Sequence, residues 1–324
     1  MGGKKSRSQG YGAADSLEMG MGRNFAMDLR HEGAIMRYVL LLAWLLMSCG
    51  SDSNPSAPID ETQSIEKSAK RGLAYDLTDS ADFSALQEGV SWWYNWYYST
   101  AAITADAAAA EMTFIPMLWG GSPSQLEQMR AKAFILDHPE IAYVLVMNEP
   151  NLVDQANRTP DQAALDWLVY EQFVDDIEDE GRDLALVGPA MNWGTLENFE
   201  DPVVWLDAFY QEYRTLAGKD PRIDYLAFHW YDYGLEQQLD RLQKYGKQIW
   251  ITEMANWNPV INSYQLQAEQ MTSMVATCEA RDNVFRYAWF IGRGTLPDNH
   301  FTFLLETDPG TLTSLGELYL ELPY

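Results

Sequence analysis

Cysteine is nearly missing from this sequence: among 324 residues there are two, Cys49 and Cys278. That excludes a disulfide framework and a cysteine-rich metal site. Histidine is scarce too. Its four residues, His31, His138, His229 and His300, show no HxxxH or HxH spacing, so no metal site is expected. Positive charge is in deficit, with 22 Lys and Arg against 47 Asp and Glu and a net charge of −25. Such a surface repels polyanions and removes nucleic acid from the expected partners. There is no GxGxxG phosphate loop. What the chain has in plenty is apolar and aromatic matter: 47% hydrophobic residues, 12 Trp and 18 Tyr. Aromatic rings build cores, and their flat faces also suit stacked ligands.

The first part of the chain does not read as fold. Residues 36–49, MRYVLLLAWLLMSC, place a short basic start before an apolar run from Tyr38 to Met47. A bilayer span takes about 20 residues, so this run has the length of a signal-peptide core instead. Leu46-Met47-Ser48-Cys49 resembles a bacterial lipobox, which makes Cys49 the expected lipidated N-terminus and 36–48 the removed signal. A polar, unpatterned stretch follows over 49–70, with the composition of a tether. Residues 1–35 fit neither signal nor domain; Met36 is the expected start, with a cytoplasmic extension as the alternative. The expected location is the cell envelope through a lipid anchor, or the exterior if Cys49 is incidental. The only expected contact with a membrane is that anchor. Lone Cys278 is expected to be a buried, inert thiol.

From residue 71 short apolar runs alternate with stretches of helical period. The runs cover 72–76, 90–96, 112–119, 142–147, 184–191, 225–230, 248–254 and 286–291. Helices are expected at 124–138, 160–180, 202–216, 235–245 and 263–280, with Pro160 and Asp201-Pro202 as starts, and a final helix within 292–319. The runs are apolar throughout, as parallel strands buried on both faces are. Eight such runs within 71–324 predict one domain, an α/β protein of the (β/α)8 TIM-barrel class. The competing doubly wound sheet would want the phosphate loop that is missing. A monomer is expected.

Two runs end on a carboxylate. The fourth closes on Asn148-Glu149-Pro150, where the proline cannot extend the ladder; the seventh closes on Thr252-Glu253-Met254. In a barrel, side chains at the C-terminal strand ends face the mouth, so Glu149 and Glu253 point into one cavity. Two facing carboxylates are the equipment of glycoside hydrolysis. Either one alone is better read as a solvated loop-edge residue.

The set RGLAYD (71–76), VSWWYNW (90–96), FIPMLWG (114–120), VMNEP (146–150), VGPAMNW (187–193), FHWY (228–231), IWITEMA (249–255) and YAWF (287–290) resembles glycoside hydrolase family 128, β-1,3-glucanases of the retaining barrel clan. The resemblance runs from Arg71 to the C-terminus. It implies Glu149 as general acid/base, Glu253 as nucleophile, Asn148 as the partner of the sugar 2-hydroxyl, a β-glucan as substrate, and no metal or cofactor. His229 and Tyr231 are expected to orient Glu253 or the sugar, with a structural histidine as the alternative. Asn95 and Trp96, which close the second run, are candidate sugar contacts, with a turn residue as the alternative for Asn95. Trp119, Trp193, Trp257 and Trp289 fall at or beyond strand ends and are candidate stacking platforms, with core packing as the alternative for each. Asp76 and Asp232 are expected on the polar rim. The aromatic stretch WYYST (96–100) departs from the family pattern and leaves endo or exo action open. Other β-glycans, or a barrel that binds glucan without cutting it, remain as alternatives.

Overall fold

The computed structural model describes residues 67–101, 104–294 and 301–324. The readings that fall on 1–66, including the signal segment, Cys49 and most of the tether, lie outside the described residues. Apolar runs become the strands β1 (Arg71–Ala74), β2 (Trp92–Tyr94), β3 (Thr113–Phe114), β4 (Met117–Leu118), β5 (Tyr143–Val146), β6 (Ala185–Met191), β7 (Tyr225–Trp230), β8 (Ile249–Met254) and β9 (Val284–Trp289). They form one parallel sheet in the order β3-β2-β1-β9-β8-β7-β6-β5-β4. Its two edges are halves of one segment. Thr113 and Phe114 pair with β2, Met117 and Leu118 pair with β5, and Pro116 between them has no N–H for the ladder. The sheet therefore closes through residues 113–118, and its strands make the eight staves of a (β/α)8 barrel.

Around it lie α1 (Ser80–Leu86), α2 (Thr104–Ala109), α3 (Gln125–Asp137), α4 (Pro160–Glu178), α5 (Pro202–Ala217), α6 (Leu235–Leu242), α7 (Tyr264–Ala280) and α8 (Ser314–Glu321). Their starts follow local chemistry. Ser124, Asp201 and Ser263 accept backbone N–H groups of the first turn, and Pro160 and Pro202 occupy positions where a missing N–H costs nothing. No helix among the described residues is long and apolar enough to cross a membrane.

Strand alternation builds two cores. Trp92, Tyr94, Leu145, Val187 and Trp250 fill the barrel interior, whereas Trp93, Val144, Leu186 and Ile251 pack outward against the helices. At the N-terminal end, Arg286 sits among rings, with its guanidinium 4.8 Å from the ring centres of both Tyr143 and Trp250. Burial pushes its pKa down to about 10. Arg71, also buried, donates to Tyr319 O at 2.6 Å and Leu322 O at 2.7 Å, tying α8 to the first stave. Cys278 is free and buried, and burial holds its thiol far above the usual range.

Candidate active site

At the C-terminal end of the barrel the fourth stave leaves the sheet abruptly. Met147 and Glu149 adopt left-handed backbone, with φ of 56° and 45°. That region is unfavourable for residues with a Cβ and persists only where neighbours enforce it. Here they do. Asn148 N–H donates to Trp119 O at 2.9 Å, Glu149 N–H to Ala190 O at 2.8 Å, and Ala190 N–H to Met147 O at 3.1 Å. On β6 a register shift between Val187 and Ala190 makes room, and Gly188 is required there: a Cβ would stand 2.7 Å from Val146 O. The strand end is thereby pinned on both sides, and the Glu149 side chain is turned into the mouth.

Glu253 arrives from β8 across the cavity. A second register shift, between Phe228 and His229, sets His229 opposite Glu253. Both carboxylates are nearly buried, with Glu149 6% and Glu253 5% exposed. Oxygens of the two and a ring nitrogen of His229 all lie within 4.8 Å of one another. Glu149 Oε1 accepts from Asn192 Nδ2 and faces His229 Nδ1, each at 2.7 Å. Glu253 Oε1 accepts from the Tyr94 hydroxyl at 2.9 Å and from Trp96 Nε1 at 2.7 Å, and its Oε2 accepts from the Tyr231 hydroxyl. His229 Nδ1 is also 3.4 Å from Glu253 Oε2.

The electrostatics follow from burial. It raises Tyr94 and Tyr231 well above the ordinary phenol range, and the nearby Glu253 charge adds to the effect, so both hydroxyls stay protonated donors. For His229, burial opposes the charged ring, but the charges of Glu253 and Glu149 outweigh it and hold the pKa above its usual value. The three groups are close enough to grip a cation. Glu149 Oε1 and both oxygens of Glu253 are already met by N–H and O–H donors, an arrangement that aims the carboxylates.

The structure brings most of the expected site residues to this mouth. Asn148 lies buried beside Glu149, its Nδ2 donating to Gln155 Oε1 at 3.3 Å and its Oδ1 lacking a hydrogen-bond partner. The Trp257 ring stacks on Tyr231, with centres 4.2 Å apart, and Phe290 touches Trp96, Tyr231 and Trp257, making an aromatic wall. Trp119 is half-buried against the barrel interior. Trp193 is 49% exposed, with the Arg241 guanidinium 5.5 Å from its ring centre.

Some expectations are corrected. Trp289 is fully buried and cannot offer a face to a sugar: its Nε1 donates to Thr302 O at 2.8 Å and its ring packs near Tyr319. The outward side of the last stave claims it for the shell core. Asn95 serves its own loop, accepting from Tyr97 N–H and donating to Asp76 and Ser99 O, which is the turn reading. Trp96 keeps its partly buried ring against Phe290 in the aromatic wall and gives its N–H to Glu253. Asp232 is a rim residue that accepts from Asn258 Nδ2. Two site residues escaped the sequence reading: Tyr94 and Asn192. Both stand inside quoted strand-end stretches, and their position at the end of an apolar run was the available signal.

Comparison with known proteins bears on this geometry. Residues 72–319 match the family described as "Glycosyl hydrolase catalytic core". A solved endo-β-1,3-glucanase of glycoside hydrolase family 128, subgroup II, from Pseudomonas viridiflava is 51% identical, covers 80% of this chain and 100% of its own, and superposes with a TM-score of 0.75. Its counterpart from Sorangium cellulosum is 30% identical over 78% of this chain and 98% of its own, with a TM-score of 0.67. Alkali-sensitive linkage protein 1 of Schizosaccharomyces pombe is 29% identical in an alignment that covers 78% of this chain and 44% of that protein. This chain thus spans less than half the length of that curated relative. Similarity that runs from the first stave to the last helix, over a barrel whose mouth joins two glutamates, places the chain among the glycosyl hydrolase catalytic cores, as a member of glycoside hydrolase family 128.

Proposed function

We propose that the chain hydrolyses β-1,3-glucan, cutting within the polymer and retaining the configuration of the anomeric carbon. One observation carries the mechanism: oxygens of Glu149 and Glu253 lie within 4.8 Å of each other. Inverting enzymes hold their carboxyls about 6.5–9.5 Å apart to seat a water between acid and base, whereas retaining pairs stand at about 5–5.5 Å. The linkage and the endo action are taken from the names of the Pseudomonas viridiflava and Sorangium cellulosum relatives.

The donors divide the roles. Three of them converge on Glu253, so its oxygens are pure acceptors, aimed and held as a nucleophile. Both donors on Glu149 address Oε1, which leaves Oε2 to carry the proton for the leaving oxygen. In the first step Glu253 bonds to the anomeric carbon and Glu149 protonates the departing sugar. In the second, Glu149 takes a proton from water, which displaces Glu253. Asn148 holds the sugar 2-hydroxyl. Trp96, Trp119, Trp193 and Trp257 supply apolar faces for neighbouring sugar rings.

The test is a panel of laminarin, mixed-linkage β-glucan and β-1,4-mannan, with product sizes measured and the first-formed anomer read by NMR. Oligosaccharides of several lengths from laminarin, initially as the β-anomer, are expected. Release from mannan alone, or an initial α-anomer, would reject the proposal. Glu253→Gln is expected to abolish turnover and keep binding. Glu149→Gln should retain activity only on aryl glycosides whose leaving group needs no proton.

The resemblance of residues 46–49 to a lipobox supports a further part of the proposal: anchoring to the cell envelope by lipid on Cys49. Labelled palmitate should enter the full-length protein and not its Cys49→Ala variant; label in both would exclude the anchor.

A further inference from the structure

His229 is buried between the two glutamates and touches both. Its Nδ1 lies 2.7 Å from Glu149 Oε1 and 3.4 Å from Glu253 Oε2, while its Nε2 is buried without a partner. A carboxylate oxygen only accepts, so Nδ1 carries a proton whether the ring is neutral or charged. One N–H therefore faces two acceptors and can serve one well at a time. The other donors do not overlap: Asn192 serves Glu149, and Tyr94, Trp96 and Tyr231 serve Glu253.

A double displacement moves charge between these two acids. As Glu253 bonds to the anomeric carbon and the glycosidic C–O bond breaks, the proton on Glu149 goes to the leaving oxygen. The negative charge has then passed from Glu253 to Glu149. When water bonds to that carbon, the ester to Glu253 breaks, the water proton goes to Glu149, and the charge returns. We propose that His229 is a positioning residue whose Nδ1–H swings between the two carboxylates and donates to whichever one carries the charge. The inference rests on the retaining reading above. Both acceptors are within reach of the one N–H, Glu149 Oε1 at 2.7 Å and Glu253 Oε2 at 3.4 Å, so a small turn of the ring exchanges one partner for the other. The ionisable groups facing the ring are Glu149 beyond β5, Glu253 on β8, Tyr231 beyond β7 and, behind Glu253, Tyr94 on β2. The two glutamates hold the imidazole protonated to higher pH than usual, against the effect of burial, which keeps the N–H in place.

The experiment compares the wild-type protein with His229→Leu and His229→Asn, whose amide can stand where Nδ1–H stood. Losing a hydrogen bond to a charged group should lower kcat roughly 10- to 100-fold in the leucine variant with little change in KM. The acidic limb of its pH–rate profile should move to higher pH, because the single charge shared by the pair has lost a donor. The asparagine variant should recover most of kcat and the wild-type limb. Unchanged kcat in the leucine variant would overturn the proposal. So would equal impairment of both variants with the limb unmoved, which is what a packing role gives. A second readout needs neither turnover nor a folded leucine variant: long-range proton–nitrogen NMR on protein labelled with ¹⁵N-histidine. Nδ1 of His229 should be protonated in the wild type, and its proton resonance should move in Glu253→Gln, which leaves the charge on Glu149, as the donor turns from Glu253 to Glu149. An unprotonated Nδ1, or an unmoved resonance, rejects the swing. Inactivity of the wild type on every glycan would instead reject the proposed function, and the NMR result would still decide the donor arrangement.

Discussion

Tyr94 and Tyr231 approach Glu253 from different staves and grip different oxygens of it. A carboxylate aimed from two sides loses the torsional freedom that would let it point away from an anomeric carbon. Each hydroxyl is a buried hydrogen bond to a charged group, worth about 1.5–3 kcal/mol. Tyr231→Phe and Tyr94→Phe are therefore each expected to lower kcat roughly 10- to 100-fold with little change in KM, measured on laminarin. The pair together should cost less than the product, because both act on one side chain. His229 gives a pH signature in stability. Its pKa is raised on folding, so its contribution is fully present below the unfolded value of about 6.5 and is lost as pH rises through the folded value. Melting temperature followed from pH 6 upward, on the order of half-unit steps, should show a fall in the wild type that is missing in His229→Asn.

At the scale of elements, what matters is how the ends of the barrel are held. The mouth owes its shape to register shifts on β6, between β7 and β8 and between β8 and β9, which re-aim the strand ends that carry the site. The opposite end is tied by Arg71, which reaches from β1 to the carbonyls that α8 leaves unpaired. Arg71→Met would keep the length of the stem and strand those carbonyls in a buried place. The expected cost is about 3–5 kcal/mol in a urea titration, since removing one partner of a buried charged group is far more damaging than replacing both. Activity at low temperature should survive, because Arg71 and the carbonyls it holds lie at the barrel end opposite the site. The sequence located most elements and misjudged a few for identifiable reasons. Helices α3 to α7 were legible from their helical period, and α4 and α5 also from Pro160 and Asp201-Pro202 at their starts. The short α1 and α2, 7 and 6 residues long, have too few turns to show a period. The third stave read as one run over 112–119, but Pro116 splits its hydrogen bonding between two partners.

For the whole molecule the net charge of −25 decides which ligands can approach. A neutral glucan feels little of this field, and its hydrolysis should change by less than about twofold between roughly 0.01 and 0.5 M salt, over which the Debye length shrinks from about 30 Å to under 5 Å. A carboxymethylated glucan is repelled at low salt and should be cut progressively better as salt is added. Salt-independent rates on the charged polymer would show that the acidic surface stands away from the path to the mouth.

The sequence by itself determined the periodicities, and through them the barrel, because strand and helix patterns are local and repeat. It also marked Glu149 and Glu253, since a carboxylate ending a buried run is visible without knowing its neighbours. Only the tertiary structure decided which groups hold those carboxylates. Tyr94 and Trp96 meet Glu253 across 159 and 157 residues of chain, and Asn192 meets Glu149 across 43. It also decided that Trp289 is core and Trp193 is rim, a choice between inward and outward faces at a strand end. Such pairings arise when a sheet closes on itself, and closure brings together strand ends that no local pattern in the chain connects.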